Sequence, residues 1–175
     1  MRFRLLVAGL LAAAPLSFAP RALRAQTPVR FSGAAALALP IGDLGDAADA
    51  GFSLALRGEG PLGSPGWSLR GDLTWDRFDG RGGVDAYSYL GVAANVLHRG
   101  HAGRFYEFGG LGLYGSHTAF VDGLNHDDTN LGLQLGLGLD LNQGPHAPFV
   151  EFGLTNVFTP GSGSVWFPVR VGIRF

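Results

Sequence analysis

The sequence predicts an all-β fold, an eight-stranded antiparallel up-and-down transmembrane β-barrel preceded by a cleavable signal peptide. Three observations predict it: a leader-like N-terminus, repeated segments with apolar residues at every second position, and a last strand that ends on an aromatic residue. Side chains of a β-strand point to opposite faces in turn, so a period of two indicates a strand with two different faces. We divide the chain into a signal peptide at residues 1–25 and a barrel at residues 26–175.

The first 25 residues have the three parts of a secretory signal peptide. Arg2 and Arg4 precede an apolar run over residues 5–18, and a small residue, Ala25, precedes the expected cleavage site. The run is shorter than the roughly 20 residues that a membrane-spanning helix needs, which argues against a retained anchor. The sequence therefore predicts export from the cytoplasm.

The composition of the remaining chain narrows its class. Charged residues make up 15% of the sequence, cysteine and lysine are absent, and there are 29 glycines. Soluble domains carry about 25% charged residues, so this surface is unusually poor in charge. Without the four arginines of the signal peptide, nine arginines face 14 acidic residues. That balance argues against a nucleic-acid partner, which would require a basic surface.

Eight segments after the signal peptide have strand character. In order they are residues 29–39, 52–59, 67–76, 87–97, 105–115, 130–142, 149–158 and 165–175. The first three set an apolar face against a face of small, polar or charged residues. The sixth is the clearest, because leucine occupies every second position from Leu131 to Leu141. The fourth, fifth and seventh segments have apolar residues on both faces. We therefore assign their faces by one polar residue each, and expect Asn95, Glu107 and Glu151 to point away from the more apolar side.

The eighth segment carries a candidate insertion signal. Its apolar face includes Phe167, Val169, Val171, Ile173 and Phe175, and the chain ends on that phenylalanine. This ending resembles the C-terminal signal by which bacterial outer-membrane barrels are recognised for insertion. The resemblance implies the barrel-assembly machinery as a partner during insertion.

The connections between the segments fall into two sets. Residues 60–66, 98–104 and 143–148 lie on the side of the two termini; residues 40–51, 77–86, 117–128 and 159–164 lie opposite. Outer-membrane barrels have short periplasmic turns and longer external loops. We therefore expect the second set to be the longer one and to lie outside the cell.

Two observations predict that the leucine face points outward, to lipid. The opposite face consists mostly of Gly, Ala and Ser, which fit the narrow interior of an eight-stranded barrel. Aromatic residues also gather near the strand ends, as in the two belts of a membrane barrel: Trp67, Tyr106 and Phe175 on the terminal side, and Phe52, Trp75, Phe78, Tyr114 and Phe158 on the other. The alternative is a soluble β-sandwich with these aromatic residues in its core.

Two stretches carry a family resemblance. Residues 33–44 with Gly51 and Phe52 resemble the opening hairpin of the small "outer membrane protein beta-barrel domain" group, and residues 105–114 are similar to its fifth strand. The group is related in architecture to OmpA/OmpX-type barrels. The resemblance implies an eight-stranded barrel in the bacterial outer membrane, in contact with lipid and lipopolysaccharide. It implies no single activity, because a fold does not fix a function.

The inward face predicts a layer of charge. Five arginines and five acids fall at mid-depth or toward the termini: Arg30, Arg57, Glu59, Arg70, Asp72, Glu107, Asp140, Glu151, Arg170 and Arg174. Confined charges are costly unless they are paired, so we expect an ionic network that closes the periplasmic half of the lumen. A structural plug is favoured, and a gated polar pathway is the alternative. The predicted role is structural or in surface interaction.

The outer half of the lumen carries fewer charges. Tyr87, Tyr89, Gln134 and Trp166 would line a cup for a small solute or amphiphile, which is the second hypothesis, a porin-like conduit or binding site. The competing interpretation is a packed interior. Pro168, inside the last strand, predicts a local bulge because proline cannot donate to the sheet.

The remaining polar residues predict neither a cofactor nor a metal. Aspartates of the far loops are interpreted as turn residues, and the histidines lack a metal-ligand spacing. A lipid-modifying enzyme is the third hypothesis, resting on Ser116 and His117. Adjacent residues of a strand point to opposite faces and do not form a nucleophile–base pair, so we expect no enzyme activity.

Overall fold

Eight antiparallel strands form the structure, a computed structural model that describes residues 29–100, 103–142, 144, 146–159 and 162–175. The strands are β1 (Arg30–Ile41), β2 (Gly51–Pro61), β3 (Trp67–Asp79), β4 (Val84–Arg99), β5 (Phe105–Phe120), β6 (Asn125–Asp140), β7 (Pro148–Thr159) and β8 (Ser162–Arg174), with a short helix α1 (Gly42–Ala47) between β1 and β2. The predicted signal peptide, residues 1–25, lies outside the described residues. In the described part of the chain no helix has the length and apolar character to cross a membrane.

The strands close into an up-and-down barrel. Each pairs with its neighbours in the chain, and β8 pairs with β1. One path of cross-strand pairs runs from Trp67 through His98, Glu107, Leu137, Phe152, Val169, Leu37 and Phe52 to Arg77. It returns to β3 ten residues beyond its start, a stagger that requires strands tilted against the barrel axis. The predicted eight-stranded antiparallel up-and-down barrel is confirmed.

The strands reach further on the side away from the termini than the sequence predicts. We call the side away from the termini the loop end, and the side of Val29 and Phe175 the terminal end. Residues 77–86 and 117–128, expected as loops, are mostly strand, so the turns after β3 and β5 span only residues 80–83 and 121–124. The expected contrast in loop length is therefore wrong. Residues 125–129 are exposed on both faces, and such a segment lacks the alternation that identifies a strand.

Pro168 produces no bulge, contrary to the prediction. The β1–β8 register runs without a shift through the pair of Ala38 and Pro168. On the other side, β7 and β8 keep one register on both sides of the proline, and only the pairs of residues 153 and 154 are missing. The sheet accommodates the absent N–H by losing local pairing instead of adding a residue.

The polarity of the barrel is inverted relative to a soluble protein. In β6, Leu135 is 45% exposed whereas its neighbour Gln134 is 2% exposed. The candidate insertion residues of β8 also lie on the outer face, with Phe175 60% exposed. The outer surface is thus apolar and the interior polar, which is the arrangement of a barrel in lipid.

Some aromatic residues expected in the two outer belts lie inside. Tyr106, Phe78 and Tyr114 are buried in the lumen, whereas Trp67, Phe52, Trp75, Phe158 and Phe175 lie outside as predicted. The inward rings lie over glycines of neighbouring strands. A Cβ on Gly138 would lie 2.1 Å from Cζ of Tyr106, and one on Gly136 would lie 2.4 Å from Cζ of Phe108. Inward glycines of β6 therefore make the space that the aromatic rings of β5 fill.

This fit predicts a difference between two glycines. Gly138→Ala should lower the free energy of unfolding by about 1–3 kcal/mol, because the added methyl overlaps the Tyr106 ring. Gly71→Ala on the outer face is the matched control, since a Cβ there meets nothing within 4 Å. Urea unfolding in detergent micelles measures both variants, and equal losses would contradict the proposed fit.

Candidate functional site

The charged layer of the lumen is built around Glu151 of β7, whose side chain is fully buried. Nη1 of Arg70 donates to Oε1 of Glu151 at 2.7 Å, and Nη1 of Arg57 lies 2.7 Å from its Oε2. The Tyr106 hydroxyl donates to Oε1 from a third direction, at 3.0 Å. Because β7 lies four strands away from β3 around the barrel, the pair of Arg70 and Glu151 spans the lumen.

Asp72 completes the charged layer on the wall formed by β2 and β3. Arg70 donates to both of its carboxylate oxygens, from Nε at 2.7 Å and from Nη2 at 3.0 Å. Nε of Arg57, its cross-strand neighbour, lies 3.7 Å from Asp72 Oδ2. Two-point contact of this kind fixes the plane of the Arg70 guanidinium and directs its remaining nitrogen across the lumen.

Aromatic rings enclose the arginines of this layer. The guanidinium carbon of Arg70 lies 4.3 Å from the centre of the Phe108 ring, and that of Arg57 lies 5.6 Å from the Phe149 ring. A cation above an aromatic face is stabilised electrostatically, and more so when water is excluded. The rings thus stabilise guanidinium groups that are buried away from water in the lumen.

A second set of ion pairs lies nearer the terminal end. Arg99 donates to both carboxylate oxygens of Glu59, with Nη2 3.0 Å from Oε2. Arg174 donates to the carboxylate of Asp140. The Tyr106 ring lies between the two arginines, 5.0 Å from Arg99 and 5.1 Å from Arg174. Sequence reasoning missed Arg99, because it placed this residue in the turn at 98–104. The signal that could have found it is the pair of inward acids at this end.

Two residues of the predicted network lie elsewhere. Arg30 is exposed at the terminal mouth, where it lines a cavity of about 700 Å³ together with Arg99, Asp140 and Arg174. Glu107 points outward, and its side chain is 63% exposed. The prediction that Glu107 marks the inward face of β5 is therefore wrong. Tyr106 and Phe108 occupy the inward positions instead, where the glycines of β6 leave room.

Arg170 and Asp76 lie above the charged layer and are buried. Arg170 is 3% exposed, pairs in register with Glu151, and lies over Gly153. Within the described residues it has no ion pair within 4.0 Å. Asp76 is 1% exposed and neighbours Ser53 across the strands. With these two, the buried centre contains three arginines and three acids: Arg57, Arg70, Arg170, Asp72, Asp76 and Glu151.

An aromatic plug fills the lumen toward the loop end. Trp166 is fully buried at its centre, with ring centroids 4.9 Å from Tyr89, 5.6 Å from Phe78 and 6.3 Å from Tyr114. Leu44 of α1 is buried in the same cluster. Most of these ring pairs are edge-to-face, the arrangement that aromatic quadrupoles prefer.

The residues of the expected cup belong to this plug or lie beneath it. Tyr89 donates to the Ser164 hydroxyl at 2.9 Å, and Tyr87 packs on the edge of the cluster. Gln134 lies lower, accepting from Asn95 at 3.0 Å and donating to the Tyr114 hydroxyl at 2.6 Å. Side chains therefore fill the space in which a solute was expected.

The loop containing α1 is tied to the turn between β3 and β4. The N–H of Asp49 donates to the Asp79 carbonyl at 2.9 Å, and the N–H of Arg81 donates to the Ala47 carbonyl at 2.8 Å. The hydrogen bond from Arg81 to the Asp49 carboxylate raises the pKa of that guanidinium. These contacts hold Leu44 against the rings of the aromatic plug. The sequence predicts a loop over residues 40–51 and no helix within it.

The residues considered for catalysis do not form a nucleophile–base pair. The Ser116 hydroxyl donates to the Asp128 carbonyl at 3.4 Å, whereas His117 Nδ1 lies 2.5 Å from the Asp127 carboxylate. Among the described residues no group of three or more His, Cys, Asp or Glu side chains is placed to hold a metal ion.

Solved structures of other proteins agree with this fold, although no family model and no curated protein matches the sequence. Among solved structures, the chain is similar to Ail, the attachment invasion locus protein of Yersinia pestis, with a TM-score of 0.60 at 17% identity over 84% of this chain and 97% of that one. It is also similar to Neisserial surface protein A (NspA), with a TM-score of 0.59 at 14% identity over 83% and 95%.

A further similar structure is that of Ail in complex with the heparin analogue sucrose octasulfate, with a TM-score of 0.53 at 18% identity over 84% of this chain and 97% of that one. Identities this low establish the fold and not the activity. The protein therefore has the fold of the small eight-stranded outer-membrane barrels of the OmpA/OmpX type, as the resemblance at the sequence level implied.

The geometry of the charged layer predicts a large loss of stability when the Glu151 carboxylate is replaced by an uncharged amide. Glu151→Gln should lower the free energy of unfolding by about 3–5 kcal/mol, because Arg57 and Arg70 would lose the charge that compensates their burial. Asp127→Asn is the control, since that carboxylate is exposed and should change stability by no more than about 0.5 kcal/mol. Unfolding of both variants in micelles measures the effects, and a loss below about 1 kcal/mol for Glu151→Gln would contradict the role of Glu151 as the compensating charge.

Proposed function

We propose that the protein is an integral outer-membrane barrel with a closed lumen, which acts through its outer surface in a structural or surface-interaction role. One observation carries the proposal: the charged layer around Glu151 and the aromatic plug around Trp166 are stacked in the same lumen. Small barrels are filled by their own side chains, and both layers follow that rule. A closed interior leaves the lipid-facing wall and the loop end as working surfaces.

Export and insertion are part of the same proposal. The signal peptide at residues 1–25 directs the chain out of the cytoplasm, and the barrel comprises residues 26–175. The outward apolar residues of β8, together with Phe175 next to it, are recognised by the barrel-assembly machinery. The terminal end then faces the periplasm, and the loop end contacts lipopolysaccharide and any surface ligand.

The alternatives have less support from the geometry. A conduit would need a path past ion pairs that span the lumen, and then past a cluster in which Trp166 is fully buried. A lipid-modifying enzyme would need a nucleophile beside a base, and Ser116 and His117 have separate partners. We propose that the protein has no enzyme activity and uses no cofactor.

The proposed location can be tested in cells. The protein should fractionate with the outer membrane and should migrate faster on a gel before heating than after, because a closed barrel resists detergent without heat. A chain that remains in the soluble periplasmic fraction and shows no such mobility difference would contradict the proposal.

The proposed closure predicts the behaviour of the protein in a planar lipid bilayer. The native protein should give no stepwise conductance. Arg57→Ala with Glu151→Ala should also give none, because the aromatic plug remains. Adding Trp166→Ala and Phe78→Ala to that pair should open a path, provided that heat-modifiable mobility shows a folded barrel. Stepwise conductance by the native protein would contradict closure and favour the conduit.

A further inference from the structure

One row of polar side chains interrupts the apolar outer wall of the barrel. Trp67, His98 and Glu107 are cross-strand neighbours on β3, β4 and β5. His98 Nδ1 lies 3.2 Å from a carboxylate oxygen of Glu107, and the Trp67 ring stacks on the imidazole with centroids 4.6 Å apart. All three side chains are substantially exposed.

The position of Glu107 is unusual for a carboxylate. Trp67, Phe105 and Phe175 form the aromatic belt at the terminal end. Glu107 follows Phe105 by two residues on the same face, so it lies about 5 Å further into the apolar band for a tilted strand. Leu137, its neighbour on β6, is part of the lipid-facing leucine row. An ionisable side chain in contact with lipid is costly, and it indicates a partner.

A hollow on the outer wall adjoins this row. It has a volume of about 670 Å³ and extends from Trp67, His98 and Glu107 past Gly109 to apolar side chains of β6 and β7. Gly109 forms part of its floor, and a Cβ there would lie 3.0 Å from Leu135. The hollow therefore combines one carboxylate at its edge with an apolar bed formed by side chains of β6 and β7.

We propose that Glu107, supported by His98 and Trp67, binds the primary ammonium headgroup of a phospholipid in the membrane leaflet at the terminal end. The proposal rests on the proposed function only in placing the barrel in a membrane. An ammonium group offers a positive charge and N–H donors to the carboxylate, whereas a quaternary amine offers no donor and an anionic headgroup is repelled. The lipid chain lies in the hollow beside Gly109.

His98 and Trp67 are positioning residues in this site. The imidazole holds one carboxylate oxygen of Glu107 and leaves the other for the headgroup. The indole restrains the imidazole by stacking and lies in the interfacial belt, where tryptophan is favoured. Neither residue belongs to the charged layer or to the aromatic plug, so the site can be altered without opening the lumen.

The test measures lipids retained by the purified barrel in native mass spectrometry. The protein is exchanged from micelles doped in turn with phosphatidylethanolamine, phosphatidylcholine or phosphatidylglycerol of identical chains. The native protein should retain phosphatidylethanolamine about threefold to tenfold more than the other two, the effect of one charge-assisted hydrogen bond near water. Glu107→Gln should reduce that retention to the phosphatidylcholine level. Asp127→Asn, an exposed carboxylate at the loop end, is the control and should retain the preference.

The possible outcomes separate the site from general effects. Equal retention of phosphatidylethanolamine and phosphatidylcholine by the native protein would overturn the proposal, even if the anionic lipid is retained less. A preference that survives in Glu107→Gln would overturn it as well. His98→Ala should weaken the preference while leaving the barrel heat-modifiable. Lipid retention is read on the purified barrel, so equal retention of phosphatidylethanolamine and phosphatidylcholine would count against this site alone, whereas a failed cell fractionation would count against the membrane location on which the proposed function also depends.

Discussion

Burial of charge inside a closed cylinder is the constraint on which the structure depends. A chain that exposes leucine and phenylalanine on its outer face must place its ionisable groups in the lumen, and there they require partners. Glu151 meets this requirement by receiving Arg57 and Arg70 from the opposite wall. Ion pairs of this kind do not necessarily add stability over an apolar core, but removing one partner is costly. They therefore fix which residues face each other across the barrel, and with them the register of the strands.

The filling of the lumen follows from the same constraint. Aromatic rings of β5 lie over glycines of β6, which lets large side chains occupy a narrow interior without displacing the strands. Rings next to the arginines compensate for lost water, and rings toward the loop end pack on one another with Leu44 above them. The inward glycines of β6 therefore provide the space that these side chains need. The polar layer and the aromatic layer together fill the lumen, which is why the proposed role is assigned to the outer wall and the loop end.

The sequence predicted the eight strands, their order and the outward polarity of the leucine face, because alternation with a period of two is a local property. It failed where that alternation is weak: residues 117–120 and 125–128 are exposed or half-buried on both faces, so the sequence predicts a loop where β5 and β6 extend. The face of β5 was assigned from Glu107, a choice that assumes charge points inward. That face is decided by the size of the side chains that oppose each other on β5 and β6. Predicting it would require the register of these two strands, which the sequence does not provide. Arg99 and α1 were missed for the related reason that their partners are distant in the chain.

The most direct test of the inverted polarity uses the absence of cysteine from the chain. Single cysteines at successive positions from 131 to 141 can each carry a spin label, whose collisions with oxygen dissolved in lipid and with a water-soluble nickel complex are compared in bilayers. The structure predicts that oxygen accessibility alternates with a period of two, with maxima at the leucine positions such as Leu135 and Leu137. Maxima of the water-soluble reagent at the leucine positions, or the absence of any alternation, would contradict a barrel with leucine in lipid and arginine inside.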